Sequence, residues 1–293
     1  MYDIEKLYEA ESTAHALELL KENSEARIIA GGSDVLIEIR DGKLAGCTLV
    51  SIQKLDELRG VSIDAEGAIR IGALTSVSHI AKNPVICKQF TVLAEAAETI
   101  GGPQLRNIAT IGGNVCNGVT SADTASTLMA WDAVMEYQGL GGKRHIPIKE
   151  HYVAAGKTAL AHNEILTAII IPKESYENCF GYYIKYAMRE ALDIATLGCS
   201  ANVCLSKDKK TIERLRLAYG VAGPVPMRSP AAEAAANQRP VKEETINAAA
   251  RAVSGDITPR TSWRASAELR LHLAEELGRR AIRESVLRAG GVL

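Results

Sequence analysis

Aromatic residues are scarce in this chain of 293: two Phe, two Trp and nine Tyr make up 4% of it. That excludes the stacking platforms on which unpaired bases are read. Neither sign of charge is in excess. Lys and Arg number 34 against 35 Asp and Glu, without the basic surplus that a nucleic-acid footprint needs. No apolar run reaches bilayer-spanning length; "ILTAIII" is among the longest and reads as a strand. The opening "MYDIEKLYEA" places acids where a secretion signal needs a positive region and an apolar core, so the expected location is the cytoplasm. Histidine and cysteine pairs at zinc spacings are missing. So are the G-x-G-x-x-G of Rossmann units, the G-x-x-x-x-G-K-[ST] of P-loop enzymes and the G-x-S-x-G of a nucleophile elbow.

What cysteine there is points nowhere in particular. Six residues, at positions 47, 87, 116, 179, 199 and 204, are irregularly spaced and read as free thiols. Cys199 and Cys204 keep the four-residue gap of some iron–sulfur proteins but lack the third cysteine three positions on. "IATLGCSANVCLS" alternates like a strand, in which residues five apart face opposite sides. The pair is expected to be two ordinary strand cysteines, and no metal site is expected in this chain.

The style of the chain changes near residue 175. Before it, short strands and helices alternate: "SEARIIAGGSD", "CTLVSIQ" and "AIRIGALTSVSHIAKN" each begin or form a strand. "PVICKQFTVLAEAAETIGGP" reads as one helix stopped by Gly101, Gly102 and Pro103. After "EILTAIIIPKESYENCF" come three strand-like runs, "FGYYIKYAMR", "DIATLGCSANVCLS" and "TIERLRLAYGVAG", with "SKDKK" as the turn between the last two. A largely helical end follows, with a long amphipathic stretch from Trp263 to about Ala289. Strands followed by helices indicate an α+β domain of antiparallel sheet plus helices.

Two glycine pairs stand out. "AGGSD" at 30–34 follows a strand and opens a helix-like run; "IGGN" at 111–114 precedes a helix whose natural N-cap is Asp123. Paired glycines let backbone N–H groups approach a ligand with no Cβ in the way, and a helix start adds unpaired donors for an anion. Two such loops could clasp a pyrophosphate from opposite sides. Each by itself is equally a tight turn, and Lys185 in "YYIKYAMR" is equally the solvent face of an edge strand.

Taken together, "RIIAGGSDVLIEIRDG" and "GGPQLRNIATIGGNVCNGVTSADTASTLMAWDA" resemble the two flavin-binding segments of the FAD subunit of molybdenum hydroxylases. The likeness continues through "FGYYIKYAMREALDIATLGC", "LRLAYGVAGPVPMR" and "TPRTSWRASAELRLHL", essentially the whole chain. The resemblance implies an α+β chain with a vanillyl-alcohol-oxidase, or PCMH-type, FAD-binding fold. Its two α+β subdomains would cover about 1–56 and 57–174. A C-terminal domain of antiparallel strands plus helices, like that of the CO dehydrogenase flavoprotein, would span 175–293. It further implies that Ile28, Ile29, Ala30, Gly31, Gly32, Ser33, Asp34 and Val35 line the FAD pyrophosphate. Ala109, Thr110, Gly113 and Asn114 would complete the cradle, and Asp123 would accept from hydroxyls of the FAD chain or ribose. Ile100 would lie where some relatives set an aromatic residue on the adenine. Leu166 would touch the cofactor, Lys185 would stand beside the flavin's N1/C2 carbonyl edge, and Asp193 and Ile194 would follow near the ring face.

Residues 26–40 and 100–130 contain no histidine, so FAD is expected to be held non-covalently. The resemblance also implies a division of labour. A molybdopterin-binding large subunit would oxidise the purine, a 2Fe-2S small subunit would relay electrons, and FAD here would pass them to NAD. The expected assembly is a dimer of such heterotrimers, with no nucleic acid or membrane involved. No catalytic residue is expected on this chain. Arg106 is open between a surface charge and a role in placing NAD. Two other readings remain at this point: a self-sufficient flavoenzyme of the same fold, and a nucleotide-binding or scaffolding protein whose glycine pairs are turns.

Overall fold

The computed structural model describes residues 2–293. Its first body runs β1 (Ile4–Glu9), α1 (Thr13–Glu22), β2 (Arg27–Ile29), α2 (Val35–Arg40) and β3 (Cys47–Ser51). The three strands pair in parallel in the order β1-β3-β2, as β-α-β crossovers require. Ser12 starts α1 by accepting from the His15 N–H, and Ala16, Leu17 and Leu20 then bury one stripe of the helix against Val50 and Ile52.

The second body opens with β4 (Val61–Ile63) and β5 (Ile69–Gly72). A run of helices follows: α3 (Val77–Lys82), α4 (Pro84–Gln89), α5 (Thr91–Glu98), α6 (Pro103–Ile108), α7 (Ile111–Cys116) and α8 (Asp123–Ala130). It closes with β6 (Val134–Gly139), β7 (Gly142–Pro147), α9 (Ile148–His151), β8 (Tyr152–Ala154), β9 (Lys157–Thr158) and β10 (Glu164–Ile171). Its main sheet is antiparallel in the order β4-β5-β10-β6-β7. The near-continuous apolar run of β10 belongs at the centre of a sheet, and that is where it lies.

The single helix expected from Pro84 onward is two. Phe90, at φ −139°, breaks it into α4 and α5 and sends its ring against buried Trp131, with centroids 4.9 Å apart. Asn83 caps α4 by accepting from the Val85 and Ile86 N–H groups. Core packing of one aromatic outweighed helix propensity there.

The third body contains α10 (Lys173–Tyr176), β11 (Cys179–Tyr186), β12 (Leu197–Leu205), β13 (Thr211–Gly220), β14 (Met227–Arg228), α11 (Pro230–Ala236), β15 (Arg239–Pro240), α12 (Glu243–Ala252) and α13 (Ala267–Arg288). The antiparallel sheet β11-β12-β13-β14, with β15 beside β13, is the arrangement the strand-like runs predicted. Alternate residues of β12 serve two layers. Leu197, Cys199, Ala201 and Val203 pack with Leu273, Leu277 and Ala281 of α13, while Asn202 on the other face donates to Ala130 O at the end of α8. The sheet of the third body is bolted to the second body by ions. Asp132 takes Arg216 and Arg228, and Arg228 also holds Glu233. No helix among the described residues is long and apolar enough to cross a membrane.

The expectation of six free thiols is corrected here. The register of β11 on β12 sets Cys179 directly opposite Cys204, and the two are joined in a disulfide with Cα atoms 4.4 Å apart. Cys47, Cys87, Cys116 and Cys199 are free. Spacing within one strand could not reveal a partner on the next.

Candidate functional site

A cleft of about 960 Å³ lies where the three bodies meet, within the size range of cofactor sites. Both glycine segments border it, and so do Leu166 of β10 and the 192–194 stretch between β11 and β12. Of the expected site residues, Ile28, Ala30, Gly31, Gly32, Ser33, Asp34, Val35, Ile100, Ala109, Thr110, Gly113, Asn114, Asp123, Leu166 and Ile194 form its walls, together with Asp193. Ile29 and Lys185 do not; Ile29 Cδ1 lies beside Gly32, on the other side of β2 from Ile28. A register shift in β10 between Leu166 and Ala168 accompanies the turn of Leu166 into the cleft, a common use of a bulge.

The two glycine segments differ in what their backbones leave free. The N–H groups of Gly31, Gly32, Ser33, Asp34 and Val35 have no acceptor among the described residues, and Gly32 holds a left-handed φ of +75°. Gly31 is glycine for packing. A Cβ there would fall 1.9 Å from Ile108 O, so the bare backbone lets the end of α6 close against the loop. The second segment is no loop, which corrects the expectation: it is α7 itself. The first-turn donors of α7 are all satisfied, Ile111 by Thr75 O, Gly112 by Ala73 O, Gly113 by Thr110 Oγ1 and Asn114 by Thr110 O. The predicted clasp from both sides thus reduces to amides on one side and a helix wall on the other. Gly113 is exposed, and a Cβ there would meet only Thr110 Oγ1, at 3.1 Å. Asn114 Oδ1 accepts from Thr124 Oγ1.

Asp123 corrects a second expectation. It is the first residue of α8, not its N-cap; Ala122 holds that place, without a side-chain bond. The Asp123 carboxylate turns aside because two donors on β11 claim it. Tyr183 Oη donates to Oδ1 at 3.0 Å and Lys185 Nζ to Oδ2 at 2.9 Å. Lys185 also donates to Thr99 O and is only 9% exposed, so it is not the solvent face of its strand. Burial pushes the Asp123 carboxyl upward, and the Lys185 ammonium and the Tyr183 hydroxyl pull it back. Lys185 itself stands behind Asp123, lining a second, smaller recess with Tyr183. Tyr183 was missed in the sequence, although it shares the face of Lys185 two residues earlier in a strand.

Arg106 proves structural. Its Nη1 donates to the carbonyls of Glu98, Ile100 and Gly101, closing the open end of α5 where Gly101 takes φ +46°. Asp193 accepts from the Arg189 and Ile194 N–H groups and so shapes the loop that overhangs the cleft.

An anionic, hydroxyl-bearing dinucleotide fits this arrangement: bare amides for phosphate, a fixed carboxylate for hydroxyl groups, and Ile100, Leu166 and Ile194 for rings.

Comparison with known proteins agrees with that chemistry. Residues 2–174 match the family model for the FAD binding domain in molybdopterin dehydrogenase, and residues 182–285 match the CO dehydrogenase flavoprotein C-terminal domain. The chain is 40% identical to the xanthine dehydrogenase FAD-binding subunit of Escherichia coli O157:H7 over 293 residues, all of both chains. It is 31% identical to the nicotinate dehydrogenase FAD-subunit of Eubacterium barkeri over 75% of each. Among solved structures, carbon monoxide dehydrogenase from Hydrogenophaga pseudoflava superposes with a TM-score of 0.93 at 27% identity, covering 98% of this chain and 99% of that one. The chain belongs to the FAD-binding family of the molybdopterin dehydrogenases.

Proposed function

We propose that this chain is the FAD-carrying electron-transfer subunit of a xanthine dehydrogenase, an oxidoreductase of the molybdenum hydroxylase type. The observation that carries the reading is the run of five unanswered N–H groups from Gly31 to Val35 on the cleft wall. Buried or half-buried amides are almost always paired, so five in succession call for an anionic guest. Full-length similarity to a xanthine dehydrogenase FAD-binding subunit supports the purine assignment over other heterocycles. Bound here, FAD supplies hydride transfer to a nicotinamide nucleotide.

The chain's own residues then have definite tasks. The amides of Gly31 to Val35 would hold the diphosphate. Thr110, Gly113 and Asn114 form the opposite wall, and Asp123 accepts from a cofactor hydroxyl. Lys185 fixes Asp123 and sets the potential at that end of the cleft. Leu166 and Ile194 keep water from the ring. FAD is held without a covalent bond. Electrons arrive from a 2Fe-2S subunit served by a molybdopterin subunit and leave to NAD, in a cytoplasmic dimer of heterotrimers.

The test starts with colour. Purified chain should be yellow and should release intact FAD on acid precipitation; flavin that stays with the pellet would contradict non-covalent binding. The isolated holo-chain should oxidise NADH with an artificial acceptor, yet turn over no xanthine with NAD until both other subunits are added. Steady xanthine oxidation by this chain carrying FAD alone would overturn the subunit reading.

A further inference from the structure

The turn from Thr258 to Ser266, which leads into α13, presents Trp263 to solvent at 75% exposure. The other tryptophan of the chain, Trp131, is buried in the core. The Arg264 guanidinium stacks over the Trp263 ring, 4.2 Å from its centroid. Beneath the turn lies Arg270, 2% exposed. Its Nη1 donates to the carbonyls of Arg260 and Ala265, its Nη2 to Ser262 Oγ at 2.8 Å, and its Nε to Thr196 O at 3.1 Å. No acid answers this cluster: among the described residues, Arg260, Arg264 and Arg270 take part in no ion pair. The cations at 260 and 264 add to burial in lowering the Arg270 pKa. The Arg264 Nε is itself buried without an acceptor.

A buried guanidinium held only by neutral oxygens is an unfavourable choice for stability alone, since an apolar side chain of similar volume would serve the core as well. What the planar fork does here is rigidify. It pins both limbs of the turn and ties them to Thr196, two residues beyond Ile194 on the cleft wall. Leu192 and Ile194 there are 64% and 49% exposed. A pre-set tryptophan with a stacked arginine, on a turn tied through Arg270 to the segment that carries these exposed aliphatic groups, has the make-up of an interface hot spot. The unanswered positive charge specifies the other side: carboxylates around an apolar centre.

We propose that the Thr258–Ser266 turn, centred on Trp263, is the docking surface for an acidic face of the subunit that donates electrons, and that Arg270 is the positioning residue that holds it in shape. This rests on the electron-transfer reading above and adds where the partner sits, next to the mouth of the cofactor cleft.

The test combines the holo-chain with the 2Fe-2S and molybdopterin subunits of the same organism and measures their dissociation constant at two salt concentrations. Trp263→Ala and Arg260→Glu change exposed side chains, so FAD content and melting temperature should stay at parent values. Complex affinity should fall at least about tenfold for each, and Arg260→Glu should also flatten the salt dependence. Acrylamide quenching of Trp263 in the parent should drop on assembly. Parent-like affinity in both variants, or a Trp263 equally quenchable in the complex, overturns the surface while leaving the subunit reading intact. Failure of the parent chain to assemble at all overturns that reading, and the docking surface with it.

Discussion

Asp123 and Lys185 are 10% and 9% exposed and 2.9 Å apart, so neither can lose its partner without leaving a charge cut off from water. Lys185→Met is expected to destabilise the apoprotein by about 3 kcal/mol, and adding Asp123→Asn should restore most of the loss. Urea unfolding measures both; a single variant as stable as the parent would place the ammonium in solvent. In holo-protein the same Lys185→Met should lower the flavin midpoint potential by tens of millivolts, the equivalent of about 1–2 kcal/mol. Gly113 offers a second test. Its missing side chain faces the cleft, and Gly113→Val should weaken FAD binding sharply while the circular dichroism of the apoprotein stays the same. Unchanged affinity would remove α7 from the binding wall. These residues were legible as types, by their resemblance to a known segment. Their bonds were not: an N-cap aspartate and a surface lysine are the ordinary readings of those letters, and only the approach of β11 to α8 makes them a pair.

At the scale of elements, strands were easier to foresee than their neighbours. The three runs after residue 175 fold as expected because each alternates or stays apolar over a full strand length, which is a local property. The break at Phe90 and the conversion of "IGGN" into a helix depend on what those segments meet, Trp131 in one case and the Ala73–Thr75 carbonyls in the other. The Cys179–Cys204 bond depends on register across two strands. It predicts one disulfide-linked peptide pair in a non-reducing digest, with Cys87 the most readily alkylated of the free thiols and buried Cys199 protected; free alkylation of Cys179 and Cys204 without reductant would refute the pairing. In the second sheet, Glu136 sits among three strands, bonded to Arg70, Lys143 and Thr167. Burial opposes its ionisation, but those donors prevail and pull its pKa from 4.5 to about 2. A depressed carboxyl stabilises the fold fully above the unfolded value and loses that contribution as pH falls through the folded one. The stability gap between the parent and Glu136→Gln should therefore be widest above pH 4.5 and shrink towards pH 2. A gap independent of pH would mean that the ion cluster contributes nothing.

For the whole molecule, the decisive fact is that the cleft has walls from all three bodies. A cofactor bound there should stabilise them together, by about 2.7 kcal/mol at a free concentration one hundred times its dissociation constant. Titrating FAD into apoprotein should raise one cooperative melting transition and slow tryptic cutting at exposed Arg189 in the overhanging loop. Protection of the first body alone would mean that the other walls are bystanders. The same three-part construction bears on how the protein is made. Synthesis delivers Gly31 first, Gly113 later, and Lys185 and Ile194 only once the third sheet has begun. A nascent chain paused before residue 175 can present its amides but has nothing to hold Asp123 in place. FAD capture should therefore wait until the strand that carries Lys185 has been made, so chains truncated before residue 175 should hold FAD far more weakly than the full chain.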